Sequence, residues 1–193
     1  MVTYVLLGLV ALVAILAIVI ATRPAAFAIE RSTTVAAPPG AVIELIEDFN
    51  QWKRWSPWDK LDPTQVVTVS GAPRGKGAMY SWVGQKNGQG RMEILEHRPN
   101  EFVGIQLDFL KPMTARNRCD FTVRPTDEGT VVVWRMTGTH SFTGKAFALF
   151  ASMDKLVGRD FERGLADMKA VAEVSVGARG GSHGASGGVR SPA

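Results

Sequence analysis

Cysteine is almost missing from this chain: Cys119 stands alone among 193 residues. One thiol closes no intramolecular disulfide and builds no zinc cage, so a hydrophobic core has to hold the fold. Histidine is scarce and unclustered, at His97, His140 and His183, which leaves little material for a transition-metal site. With 21% charged and 46% hydrophobic residues, the composition excludes a disordered polyelectrolyte and a collagen-like chain. The length fits one domain of ordinary size and is too short for two large ones.

Acidic residues are missing from both ends, and this explains two misleading averages. The pI near 9.5 invites a nucleic-acid reading and the mean hydropathy of +0.04 a membrane-protein one. Three of the 22 basic residues (Arg23, Arg179 and Arg190) lie outside the middle of the chain, and all 18 acidic ones lie within it. The middle is therefore close to neutral, at +1. Such a domain lacks the concentrated basic surface that phosphate-backbone binding requires, so no nucleic-acid partner is expected.

Charge is also absent from Tyr4 to Thr22, YVLLGLVALVAILAIVIAT. At 1.5 Å rise per residue this run spans about 28 Å, enough for a hydrocarbon core of about 30 Å. A buried globular helix rarely lacks polar residues on every face. A cleaved signal peptide is the rival, because Ala26-Phe27-Ala28 has the A-x-A form. Against it, Met1-Val2-Thr3 carries no basic residue, the apolar run is long, and cleavage there would cut into the first strand. The expectation is an uncleaved membrane anchor with a short linker over residues 1–26. Arg23 and Arg31 on its C-terminal flank favour a cytoplasmic domain by the positive-inside rule. At the other end, residues 175–193 are Gly- and Ser-rich and bury nothing, so they read as a disordered tail. The domain is expected over residues 27–174.

Within it, Phe27 to Val35 reads as a strand, and Pro38-Pro39-Gly40 opens a short helix carrying Val42, Ile43, Leu45 and Ile46. A second short helical segment follows around Trp52 to Trp55. Six further strands are expected, near 66–69, 78–83, 91–96, 101–109, 114–123 and 130–140. They are separated by turn signals such as Asn87-Gly88 and Pro125 to Gly129, which implies an antiparallel meander. Phe147, Phe150, Met153, Val157, Phe161, Leu165, Met168 and Val171 then step by three and four, which predicts one amphipathic helix of about 28 residues. The fold class is α+β: a curved antiparallel sheet wrapped around a long C-terminal helix.

Particular residues carry a family resemblance. They are Asp48-Phe49-Asn50-Gln51-Trp52-Lys53-Arg54-Trp55-Ser56-Pro57-Trp58 with Asp62-Pro63, then Gly90-Arg91-Met92-Glu93-Ile94. Leu107 to Pro112, Trp134 to Gly138 and the stretch from Leu149 to Leu165 complete it. Over Ile29 to Glu173 the chain resembles the SRPBCC (START-related, birch-pollen-allergen-like) superfamily, and within it bacterial polyketide cyclase/dehydrase-type proteins. The resemblance implies a helix-grip fold with a cavity between sheet and C-terminal helix.

Period two assigns the walls of such a cavity. Met92, Ile94, Leu107, Phe109, Asn117, Cys119, Trp134 and Met136 fall on the face that confronts the helix, and Phe150, Met153 and Val157 come from the helix itself. These residues, with Trp55 and Trp58, are the expected contacts of a hydrophobic small molecule or lipid; a solid core with little void is the alternative. Trp52, Trp55 and Trp58 form a cluster open to three readings: a cavity lid, an anchor at the headgroup layer, or packing on the sheet's end. Glu93, Asp108, Arg116, Arg118, Asp120 and Arg135 fall on the opposite face and read as cross-strand ion pairs. Gly71 to Gly77 lacks the Walker spacing and reads as a hairpin turn. His97 reads as an exposed turn residue, and Asn117, Cys119 and His140 are the polar candidates for acid/base work. No catalytic constellation, metal site or cofactor is expected. Ligand binding leads, with a cyclase or dehydratase-type enzyme and an accessory protein contacting a membrane partner as alternatives.

Overall fold

The computed structural model describes residues 1–148 and 153–181. Helix α1 (Val2–Thr22) is followed by strand β1 (Ala26–Val35), helix α2 (Pro39–Glu47), a 3-10 turn over Phe49–Arg54 and helix α3 (Pro57–Leu61). Strands β2 (Val66–Gly71), β3 (Ala78–Val83), β4 (Gln89–Arg98), β5 (Phe102–Lys111), β6 (Ala115–Thr126) and β7 (Gly129–Thr139) come next. Helices α4 (Phe142–Ala148) and α5 (Met153–Gly181) close the chain order.

All seven strands form one antiparallel sheet in the order β1-β7-β6-β5-β4-β3-β2. Strands β2 to β7 are an uninterrupted meander, and β1 pairs with the last strand. Short turns join β2 to β7, and the long connection over 36–65, through α2, the 3-10 turn and α3, carries the chain from β1 at one edge of the sheet to β2 at the other. One face packs on α5, α2 and the 3-10 turn and carries Ile29, Ile94, Ile105, Phe121, Val132 and Trp134, all buried. The curved sheet around a long C-terminal helix is the helix-grip architecture.

The outward face carries the ion pairs assigned to it. Asp108 accepts from Arg116 at 2.8 Å and from Arg91 at 3.2 Å, Arg118 bridges Glu96 and Asp120, and Arg135 lies 3.8 Å from Glu30. Burial alone would raise the Asp108 pKa, but Arg116 and Arg91 hold it below the ordinary carboxylate range. These pairs lock register across β4, β5 and β6 and lie away from the enclosed face.

At two places the helices differ from the sequence expectation. The stripe from Phe147 to Val171 predicts a single helix; the described residues place α4 up to Ala148 and α5 from Met153, and 149–152 lie outside them. Ser141 caps α4 by accepting from the Gly144 N–H at 3.1 Å, a start signal that precedes the apolar stripe. Helix α5 also runs seven residues beyond Val174, because Val176 continues the apolar stripe onto the core and Ser175 Oγ donates back to the Val171 carbonyl at 2.8 Å. The rest of the expected tail, 182–193, lies outside the described residues.

Helix α1 stands apart from the core. Ile20 is its one buried residue, and the remainder presents an apolar surface 21 residues long, sufficient to cross a membrane. Its C-terminal end is fixed to the domain: Lys145 Nζ donates to the Ala21 carbonyl at 3.2 Å, and the His140 N–H donates to the Ala25 carbonyl at 2.7 Å.

Candidate functional site

Helix α5 runs along β1, which gives the enclosed face two distinguishable ends. Its C-terminal half lies over the end of β1, where Glu173 accepts the Ala36 N–H at 2.8 Å. Its first turns lie over the middle of β1, where Arg31 donates to Asp154 at 2.8 Å and to Glu162 at 2.7 Å. The side chain of Arg31 points inward in register with Trp134, and its guanidinium lies over Gly158, where any Cβ would come within 2.2 Å of it. The absent side chain at Gly158 is what lets α5 sit close to β1. Alternation with Ile29 and Thr33 marks Arg31 as inward-facing, a signal hidden by its appearance as a flanking charge.

Away from α1, the enclosed face is solid. Trp134 stacks on Phe161 of α5 at 3.9 Å between centroids with the rings 8° apart, and on Phe121 at 4.9 Å. Trp55 meets Trp134 and Phe121 edge-on, and Trp58 meets Trp134 and Phe161 likewise. Trp52 donates its indole N–H to the Ile46 carbonyl at 3.0 Å, and Trp55 donates to that of Leu45 at 2.9 Å. Both rings are buried, which corrects the lid and headgroup readings for Trp52 and Trp55. Their polar edges are satisfied by the end of α2, so the cluster is packing. Trp58 is partly buried against the same group. Ile94 has no exposure, and it shares a cross-strand row with Ile105, Cys119 and Met136.

Toward α1 the seal loosens. Met92 and Leu107 retain 8% exposure, Asn117 7%, and Cys119 and Met136 5%, whereas Ile94, Ile105, Phe121 and Val132 retain none. Pairing across β4, β5, β6 and β7 sets Met92, Leu107, Asn117 and Gly138 in one row, with Cys119 and Met136 in the next. Phe109 borders the row half-buried, and Trp82 and Tyr80 of β3 extend it. Gly138 makes room for Asn117, whose Oδ1 would lie 2.1 Å from a Cβ there. From the helix, Val157 is partly buried against the core. Met153 opens α5, and Phe150 lies outside the described residues.

A few polar groups interrupt these apolar walls. Trp134 Nε1, buried, has the Cys119 sulfur beside it and no oxygen or nitrogen acceptor among the described residues. Burial pushes the Cys119 thiol up to about 12, and the Asp120 carboxylate adds to the rise. Cys119 is therefore a neutral, inert thiol at physiological pH. Tyr80 and Asp59 are a pair that the strand pattern leaves unassigned: the phenol donates to Asp59 Oδ1 at 3.4 Å, and Gln65 lies beside both. Burial raises the pKa of each, and Asp59 Oδ2 has no hydrogen-bond partner. Next to them Asp62, buried, accepts from the Thr64 hydroxyl at 2.6 Å and from the Lys86 N–H at 2.8 Å. The first of these bonds does most to hold its pKa down at about 2.

At the far end of the sheet a polar cleft of about 570 Å³ lies between α2, the β2–β3 turn and the β4–β5 turn. His97 belongs here and not in an exposed turn: it sits on β4 with Nε2 2.5 Å from Glu47 Oε2. Arg74 lies 3.9 Å from the same carboxylate, and the Gly75 N–H donates to the Glu47 carbonyl. The Gly71–Gly77 loop is thus a hairpin connection with a backbone donor already engaged. His140 stacks on Phe27 at 4.6 Å, remote from this cleft. Among the described residues no group of three or more His, Cys, Asp or Glu side chains is placed to hold a metal ion.

A family model described as polyketide cyclase/dehydrase and lipid transport matches residues 26–173. No curated protein matches the chain's sequence. Among solved structures, a protein from Chromobacterium violaceum is 17% identical with a TM-score of 0.57, covering 76% of this chain and 96% of its own. The Aha1 dimer from Colwellia psychrerythraea is 14% identical with a TM-score of 0.56, covering 77% and 97%. The di-domain ARO/CYC StfQ from the steffimycin biosynthetic pathway is 15% identical with a TM-score of 0.57, covering 79% of this chain and 52% of its own. At these identities the likeness is one of fold.

Proposed function

The chain belongs to the polyketide cyclase/dehydrase and lipid transport family of the SRPBCC superfamily, and on that basis we propose that it is a membrane-tethered binding domain for an apolar small molecule or lipid. The observation that carries this reading is the unequal sealing of the enclosed face. Residues Met92, Leu107, Asn117, Cys119 and Met136, though buried, keep 5–8% exposure at one end, while Trp55, Phe121, Trp134 and Phe161 keep 0–1% at the other. Mostly apolar walls with a few convergent polar groups are what a ligand pocket requires. The Asn117 amide supplies hydrogen-bonding groups for a ligand carbonyl or hydroxyl, and the methionines supply an adaptable wall. Helix α1 supplies the tether, residues 27–174 with the added turns of α5 form the domain, and the flanking Arg23 favours a cytoplasmic placement.

Photo-methionine incorporated during expression tests the pocket. Illumination of cells should attach a small-molecule adduct to the peptides holding Met92 and Met136, and leave the buried Met168 and the outward Met79 unmodified. Equal labelling at all four positions, or none at Met92 and Met136, contradicts the reading.

An enzymatic reading has one observation in its favour. Tyr80 and Asp59 meet at the border of the same face, and burial holds Asp59 closer to a neutral acid than an exposed carboxyl. Tyr80→Phe distinguishes the two. A cyclase-type enzyme loses turnover in this variant, whereas a binding domain keeps its ligand.

A further inference from the structure

Every strand end and turn at the α1 end of the sheet can be identified from the register. They are the start of β1, the approach to β2 over 62–65, the β3–β4 turn over 84–88, the β5–β6 turn over 112–114, and the passage from β7 into α4. Segments 22–26, 84–88, 109–117 and 139–148 contain no Asp or Glu. Besides Arg116, which is paired with Asp108, they contain Arg23, Lys86, Lys111 and Lys145, the first three exposed. Of the carboxylates on adjoining elements, Asp62 accepts the Lys86 N–H, Asp59 accepts from Tyr80 through Oδ1, Asp108 is paired with Arg91 and Arg116, and Asp154 with Arg31. Large apolar side chains project from the same turns, with Met113 66% and Phe142 56% exposed. The turns at the opposite end mix both signs, with Asp127, Glu128 and Glu101 beside Arg74 and Lys76.

Three residues, Arg23 to Ala25, separate α1 from β1. Even fully extended they reach only about 10 Å, which is about one Debye length at physiological salt. The hydrogen bonds from Lys145 and His140 to Ala21 and Ala25 shorten the reach further.

We propose that this end of the domain docks on the anionic headgroup surface of the membrane that α1 spans. In this arrangement Met113 and Phe142 insert at the interface, and the loosely sealed end of the enclosed face opens toward the bilayer. The proposal rests on the reading of α1 as a tether. Basic residues beside an anionic leaflet and apolar side chains among them are complementary to that surface on both counts. The orientation gives the pocket a short route for exchanging an apolar ligand with the membrane, without passage through water.

The test uses the full chain reconstituted in vesicles of phosphatidylcholine alone or with three parts in ten phosphatidylglycerol. An environment-sensitive fluorophore is attached to Met113→Cys, Phe142→Cys or, as a control, Asp127→Cys; the native Cys119 is buried. In anionic vesicles the labels at 113 and 142 should shift to the blue and be quenched by nitroxide-labelled lipid, and the label at 127 should not. Lys86→Glu with Lys111→Glu should lower the docked-to-undocked ratio at least about thirtyfold, since each lysine near an anionic surface contributes a factor of about five. Carbonate extraction is run alongside. Labels at 113 and 142 that stay in water while α1 resists extraction overturn the docking and leave the tether standing. Release of the chain by carbonate overturns both.

Discussion

The division of the enclosed face into a packed end and a loosely sealed end predicts unequal costs for the same truncation. Leu165 of α5 is 2% exposed within the packed end, and Leu107 of β5 is 8% exposed in the more loosely sealed row. Leu→Ala substitutions cost about 2–5 kcal/mol, with a part common to all sites and a further ~24 cal/mol for each Å³ of cavity that fails to collapse. At Leu165 the stacked rings of Phe161 and Trp134 cannot move inward, so the cost should be near the upper limit, about 4–5 kcal/mol. At Leu107 the space adjoins one already accessible, so little new cavity forms and the cost should be about 2–2.5 kcal/mol. The difference, about 2 kcal/mol, corresponds to roughly 80 Å³ of additional unrelaxed cavity. For a domain of this size it amounts to about 4–8 °C in Tm. Thermal unfolding of the full chain in detergent, followed by near-UV circular dichroism, reads the packing of the tryptophans directly. Equal losses in the two variants, or a larger loss at Leu107, would refute the division.

Other consequences follow from groups held in unusual states. With its thiol pushed up to about 12, Cys119 should resist iodoacetamide at pH 8 in the folded protein and react once denaturant is added, and rapid labelling of the native chain would contradict its burial. Asp62 has a folded pKa lowered from 3.8 to about 2, so its contribution is complete above about pH 4 and is lost as pH falls through 2. Asp62→Asn should therefore lower Tm at pH 7 and flatten the acid limb between pH 4 and 2; an unchanged acid limb would contradict this. Asp59 is raised, chiefly by burial, so its charged form opposes folding at neutral pH. Asp59→Asn should raise Tm at pH 7, and a decrease would show that the carboxylate is stabilised by a partner.

Much of the fold is legible in the chain because its signals are local. Asn87-Gly88 and Pro125 to Gly129 fix hairpins between strands, and alternation over 103–109, 115–123 and 132–136 places the same residues inward in the structure. Signals that depend on a neighbouring element are harder to read. Arg31 looks like a flanking charge until α5 brings Asp154 and Glu162 to it. His97 looks like a turn residue until α2 brings Glu47. The tryptophan cluster gives no sign of its burial, because the carbonyls of Leu45 and Ile46 that satisfy two of its indoles lie a helix away. For the candidate site, period two identifies the wall, but which part of it stays open depends on how far the rings of Trp55, Trp134 and Phe161 fill the space. That is a property of their packing.

The account stands or falls on whether the α1 end of the enclosed face holds a ligand, and native mass spectrometry of the full chain released gently from its host membrane measures this. Wild-type protein should carry a defined apolar small molecule or lipid. Leu107→Trp, which fills the loosely sealed row with an indole, should emerge folded and empty. An unliganded wild type, or the same bound mass at the same occupancy in Leu107→Trp, would contradict the account.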